Sequence, residues 1–220
     1  MKHNLFILVA VLAFAALACN SLVALPGTGL QTGPSQTYSI EESLPASSPV
    51  TEAELVMAAG TASLALAGGA SGLVKGQIEY NVAEWLPALS TEDGILRIEQ
   101  GLADGNVASV PEEAVNRWVV TLGDSLTGVR IECPAGVYTL NLSDSLPDGA
   151  QIAIDAGAVT LRLAVPAGTA ASVTVHRGPS GVETKGEWEL SGNTYTTGDS
   201  GPAWIIRLEM GVGNLTLVAE

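Results

Sequence analysis

Cysteine and histidine carry much of the nucleophilic and metal chemistry of proteins, and this 220-residue chain has two of each. Cys19 ends the segment Ala16-Leu17-Ala18-Cys19, directly after an uninterrupted apolar run from Leu5 to Ala18. Small residues before a cysteine let a signal peptidase reach the backbone, and the thiol of such a cysteine accepts diacylglycerol. A run of 14 residues fits the apolar part of an export signal and is short for a bilayer span. Residues 1–18 are therefore expected to be a signal peptide, and Cys19 the lipid-attachment residue on the extracytoplasmic face of the cell membrane. Ala16 stands where leucine is usual, and Ala16-x-Ala18 also suits an ordinary signal peptidase, which would release the chain instead.

Cleavage removes His3 and leaves His176 and Cys133. Nucleophilic catalysis of the Ser-His-Asp or Cys-His kind needs an imidazole beside the nucleophile. His176 follows Val175 in an alternating stretch and is expected on the outward face, whereas Cys133 takes an inward place. Zinc wants four N, S or O ligands, more than one His and one Cys supply. No catalytic residue, no metal ligand and no cofactor is assigned, and the chain is read as not an enzyme. Calcium needs only oxygens, but Asp144, Asp148, Asp155 and Asp199 lie scattered among turns without the spacing of a calcium loop. Twenty-three Asp and Glu against nine Lys and Arg give a net charge of −14. That surface repels phosphates, which excludes nucleic acid as a partner. Trp85, Trp118, Trp188 and Trp204 could stack on sugars or anchor a protein if exposed. They are more simply read as covers for the ends and seams of a core.

The elements that would position these residues show as a repeat. With Gly60, Gly136, Gly157 and Gly211 as reference points, residues three and five places earlier are apolar: Leu55 and Met57, Ile131 and Cys133, Ile152 and Ile154, Ile206 and Leu208. Residues four and six places later are all leucine: Leu64, Leu66, Leu140, Leu142, Leu161, Leu163, Leu215 and Leu217. Alternation with period two marks strands buried on one face, and each glycine is expected to break its unit into two short strands. A weaker copy surrounds Gly178, with Val173, Val175 and Val182. Gly136, Gly157 and Gly178 are 21 residues apart, which suggests stacked rungs too small to stand alone. The expected fold is all-β, a β-solenoid or β-helix-like stack with an aliphatic core; a β-sandwich is the alternative. The uncharged stretch from Leu55 to Val74 is read as two strands and a turn because glycines interrupt it.

Residues 19–50 are expected to be the lipidated cysteine and a flexible linker. Sixteen of the 31 residues from Asn20 to Val50 are Pro, Gly, Ser or Thr, and none is Lys or Arg. Leu25-Pro26-Gly27-Thr28-Gly29 has the letters of a sortase signal, but that signal works near a C-terminus. Gln77–Tyr80 and Ile95–Ile98 read as strands, separated by Trp85-Leu86-Pro87 and the turn at Asp93-Gly94. A boundary is expected around Leu102 to Ala114.

Leu73-Val74-Lys75-Gly76-Gln77-Ile78-Glu79-Tyr80-Asn81, Trp85-Leu86-Pro87 and Asp93-Gly94-Ile95-Leu96-Arg97-Ile98 together resemble the N-terminal segment of the bacterial toast-rack proteins. Asn116-Arg117-Trp118, Ile154-Asp155-Ala156-Gly157 and Met210-Gly211-Val212-Gly213 resemble that family's continuation, so the likeness covers roughly residues 53–220. Cys133-Pro134-Ala135-Gly136 departs from the Gly-Ala-Gly run usual there. The resemblance implies a toast-rack-like segment over 51–108 and a β-solenoid over 109–220. It also implies kinship with proteins that respond to cell-wall-active antibiotics and with adhesin-like β-solenoids, and brings no catalytic residue. The expected function is a non-enzymatic, envelope-anchored interaction, scaffold or adhesin-like module, in cell-envelope stress response by that kinship. The alternative is a module binding glycan or calcium. The expected partners are the membrane, through the lipid, and an envelope protein or glycan.

Overall fold

The computed structural model describes residues 30–43, 49–101, 110–176, 178–198 and 203–220. The expected signal peptide, Cys19, the segment Leu25 to Gly29 and Asp199 lie outside them. In chain order the strands are β1 (Thr32–Glu42), β2 (Glu52–Val56), β3 (Gly60–Ala70), β4 (Val74–Val82), β5 (Pro87–Glu92), β6 (Ile95–Gln100), β7 (Asn116–Gly123), β8 (Gly128–Leu142), β9 (Gln151–Val165), β10 (Ala171–His176), β11 (Gly181–Lys185), β12 (Glu189–Ser191), β13 (Thr194–Thr197) and β14 (Trp204–Ala219). A single 3-10 turn, Ala83–Trp85, joins β4 to β5.

The repeat builds a parallel stack. β2 and β3 form one rung, β10 and β11 another, and β8, β9 and β14 are long strands that each form a whole rung. Their order in space is β2/β3, β8, β9, β14, β10/β11. First halves pair with first halves and second halves with second halves, so the stack presents two sheets joined through its bends. The first sheet continues past β2 into β6 and β5, and past β10 into β13 and β12. The second continues past β3 into β7, β4 and β1. Leu55, Ile131, Ile154 and Leu208 make one inward ladder, and Leu64, Leu140, Leu163 and Leu217 another, in a single buried cluster.

The solenoid-like all-β reading holds, with several corrections. Gly60 and Gly136 face one another, as do Gly157 and Gly211, but the two pairs are offset by two residues: Gly136 stands opposite Val159 and Gly213 opposite Val159. A slip of two keeps every side chain on its own face, so alternation cannot detect it. Leu161 and Leu215 therefore meet Tyr138 and Ala62 rather than Leu140 and Leu64. The core is not purely aliphatic: Tyr138, Trp85 and Trp118 are among its largest fully buried side chains. β8, β9 and β14 bend without being broken at their glycines. The weaker Gly178 unit is the end rung although it precedes β14 in sequence. The end of a stack has a neighbour on only one side, which suits the exposed Glu183, Thr184 and Lys185 of β11.

The linker expectation fails over Thr32–Glu42, which is a strand. β1 runs antiparallel to β4, satisfies backbone groups that β4 would otherwise leave open, and buries Ile40. The expected boundary at 108/109 lies outside the described residues; on either side of it β7 lies between β3 and β4, and β8 pairs with both β2 and β3.

Leu161 is buried beside an exposed Thr160. Leu161→Asp puts an unpaired carboxylate into the ladder and should cost roughly 4 kcal/mol or more, whereas Thr160→Asp should stay within about 0.5 kcal/mol. Chemical denaturation of both variants reads the difference, and equal midpoints would refute the inward ladder.

Candidate functional site

The reactive side chains are placed apart. Cys133 is a free, fully buried thiol on β8 beside Ala156 of β9; of its expected counterparts Met57 stands level with it, its backbone N–H donating to the Glu132 carbonyl at 3.1 Å, whereas Ile154 and Leu208 occupy other registers. Burial pushes its thiol pKa well up, and the charges of Asp155 and Glu132 push it the same way. His176 ends β10 on the outward side, opposite Glu209 of β14. Asp144 and Asp148 sit in the β8–β9 turn and Asp155 in the middle of β9. Among the described residues no three His, Cys, Asp or Glu side chains converge to hold a metal ion.

Three tryptophans do structural work. Trp85, Trp118 and Trp204 are buried, and Trp118 belongs to a polar lock between the two sheets. The Gln100 side chain at the end of β6 donates to Asn116 Oδ1 on β7 at 3.0 Å, and Asn116 Nδ2 donates back to Gln100 Oε1 at 2.8 Å. Trp118 Nε1 donates to Asn116 Oδ1 at 2.8 Å and the Ala58 N–H donates to Gln100 Oε1 at 3.2 Å. Two buried amides thus satisfy each other, the indole and the backbone, as buried polar groups must. Gln100 drew no notice in the sequence, because an amide ending an alternating strand looks like any exposed residue. Trp188 is the tryptophan that remains partly exposed.

The outward side of the first sheet carries adjacent rows of opposite charge. Arg97, Glu54 and Arg130 stand in one register row, with Ala153 and Arg207 continuing it. Glu132, Asp155, Glu209 and His176 stand in the next. Arg97 binds Glu54 and lies 2.8 Å from Glu99; Arg130 reaches Asp155 at 2.8 Å. The Glu99 hydrogen bond, chiefly, holds the Arg97 pKa up, and Arg97 in turn lowers that of Glu99. Glu132 is raised, first by burial and then by the charge of Glu54, with Arg97 pulling the other way. A shallow groove of about 350 Å³ crosses this face over Gly128 and Ala153, flanked by Arg130 and Arg207. A larger recess of about 610 Å³ lies at the far end of the stack, around Trp188.

Two measurements follow. Cys133 should resist a thiol reagent at pH 8 in the native protein and react fully once denaturant is added; fast native labelling would contradict the buried placement. A carboxyl whose folded pKa is raised is stabilising when protonated, and that contribution is lost as pH rises through the folded value. Glu132→Gln should therefore raise Tm at pH 7, with a gain in stability of less than about 1 kcal/mol because the carboxylate is partly solvated. The gain should fade toward about pH 4, where both side chains are neutral; a lower Tm at pH 7 would refute the assignment.

Among solved structures the chain is similar to a candidate cell adhesion protein from Clostridium sporogenes, at 20% identity and a TM-score of 0.54, covering 85% of this chain and 99% of that one. It also matches a candidate lipid-binding protein from Parabacteroides distasonis at 12% identity and TM-score 0.29, over 84% of this chain and 62% of that one. A third match is a candidate adhesin from Bacteroides fragilis at 12% identity and TM-score 0.28, over 88% and 98% of the two chains. No curated protein matches the chain. The family described as the N-terminal domain of toast_rack, DUF2154, matches residues 31–183. That span runs from β1 through β10 into the start of β11, more than half of the chain, and this protein therefore belongs to the toast-rack family.

Proposed function

We propose that this protein is a non-enzymatic, lipid-anchored module on the extracytoplasmic side of the membrane, acting through surface contacts in the manner of an adhesin or scaffold. The observation that carries the reading is the pair of broad outward faces. At about 4.8 Å per strand, the second sheet extends without a break from β1 through β4, β7, β3, β8, β9 and β14 to β11. Across it Thr216, Arg162, Thr139, Ser63, Arg117 and Glu79 fall in one register row. Such a face can supply the roughly 800 Å² that a stable contact needs from each partner. Cys133, by contrast, serves the core. The likeness in fold to a candidate cell adhesion protein favours the same reading, and kinship with antibiotic-response proteins favours a place in envelope stress. The lipid on Cys19 supplies the attachment; two acyl chains hold a protein at a membrane where one does not.

Cells making Cys19→Ser should release the protein from the membrane fraction, and full retention would mean that lipid on Cys19 is not the anchor. The purified protein should bind isolated cell envelopes saturably and leave peptidoglycan, polysaccharide and ester substrates intact, with or without calcium. Turnover that disappears when one acid is replaced, with the fold intact, would overturn the non-enzymatic reading.

A further inference from the structure

We propose that the recess at the β11 end of the stack is a carbohydrate-binding subsite, taking an uncharged or amino-bearing pyranose unit of a glycan. This rests on reading the protein as a contact module and names the chemistry of one contact. Trp188 is the one tryptophan not given over to the interior. Part of its ring packs against the core, and its Nε1–H donates to the Lys185 carbonyl at 3.2 Å. The ring is thereby fixed while it also lines a recess of about 610 Å³, within the range of small-molecule sites. A pinned indole is what stacking on the C–H face of a sugar requires.

The other walls suit the rim of that sugar. Glu187 and Glu189 supply carboxylates, and the exposed Thr196 supplies a hydroxyl. Glu189 stands directly opposite Thr196 across the β12–β13 pair, so acceptor and hydroxyl are held at neighbouring places. Carboxylates accept the O–H groups of a sugar, or an ammonium, and a hydroxyl can donate or accept. Among the described residues no Lys or Arg lines the recess, and nearby Lys185 lies 3.6 Å from Glu183. An acidic sugar or a phosphate would meet two carboxylates without a cation, which disfavours it.

The frame is built rather than loose. Gly186 and Gly198 line the recess with φ of +86° and +79°, the left-handed region that favours glycine. A Cβ on Gly186 would lie 2.5 Å from the Ala219 carbonyl oxygen, and one on Gly198 would lie 2.6 Å from that of Thr169. The turns bearing Trp188 and Thr197 are therefore pressed against the end of β14 and the β9–β10 connection. A preorganised site loses less entropy on binding.

The test titrates the full-length protein with three trisaccharides: neutral chitotriose, the amino-bearing glucosamine trimer and anionic trigalacturonate. Tryptophan emission reports binding, because Trp188 is the partly exposed indole. Saturable change with the first two and none with the third is expected. Trp188→Ala should weaken binding at least about tenfold. Since that ring also touches the core, Thr196→Arg, at an exposed position, fills the recess while leaving Trp188 in place, and should weaken binding as much with Tm unchanged. No response to any sugar, equal binding of trigalacturonate, or affinity unaltered by both variants would overturn the proposal. Retention on isolated envelopes is read in parallel. A wild type that holds envelopes but ignores all three sugars overturns the recess alone, whereas one that binds sugars without holding envelopes keeps the recess and removes the contact-module reading.

Discussion

The fold depends on how closely neighbouring backbones approach at the bend. A Cβ on Gly136 would lie 1.8 Å from the Gly60 carbonyl oxygen, and one on Gly213 would lie 1.7 Å from that of Val159. No side chain fits there, and both glycines have a φ that L-residues rarely adopt. The close approach lets β8 and β14 pass from one sheet to the other while staying hydrogen-bonded to their neighbours. If the bend opened, the two leucine-rich halves of each strand could no longer face a common core. The hydrophobic ladders, the Tyr138 hydroxyl donating to Ala58 and Ala135 carbonyls at 2.9 and 3.0 Å, and the lock at Gln100 all presuppose that geometry.

What the residue pattern discloses is side-chain direction, and what it hides is pairing. Leu140 or Ile154 alternates with polar neighbours, and such residues can only be strand positions with a buried face. That much was legible, as were the buried Cys133 and the outward His176. The register between rungs was not, because a shift of two leaves each inward residue inward. Nor was the order of rungs. β14 is last in the chain yet lies between β9 and β10, and a parallel slot accepts any strand with the same alternation. The leucine-bearing β14 takes an inner slot, and the weaker Val182 unit takes the end. β1 was hidden for a related reason: an edge strand buries little, so the pairing of Tyr38 and Ile40 with β4 leaves only a faint apolar trace among Ser, Thr and Pro.

The candidate sites were legible in type but not in place. Four tryptophans in a chain poor in other reactive side chains mark either a ligand surface or a core, and composition cannot say which tryptophan does which. Burial separates them. Trp118 is tied to Asn116 and Trp204 opens the central strand β14, whereas Trp188 lies in a turn that only the end of the stack can hold. Of the aspartates singled out as oxygen donors, Asp144 and Asp148 lie in the β8–β9 turn and Asp155 in the middle of β9, and a parallel stack brings together only residues of equal register, which these are not.

Equal register also explains the charges. A parallel ladder places like residues side by side at about 4.8 Å, so a repeat that copied its outward carboxylates would build a repulsive column. Glu132, Asp155 and Glu209 are such a column; the Glu132 pKa is raised chiefly by burial and by Glu54, with Asp155 adding in the same direction. The neighbouring row of Arg97, Arg130 and Arg207 offsets it, most directly where Arg130 crosses to Asp155. Three of the chain's few cations stand on this face, and at the far end of the stack Lys185 pairs with Glu183. The same column argues against open-ended stacking of copies. The terminal strands are short or polar, with Pro34 and a bulge in β1, Pro87 opening β5, three residues in β12 and Glu183 and Lys185 on β11. Charged, interrupted edges resist pairing with another chain. Among the described residues, what the two sheets then present to solvent is chiefly side-chain faces rather than open backbone edges.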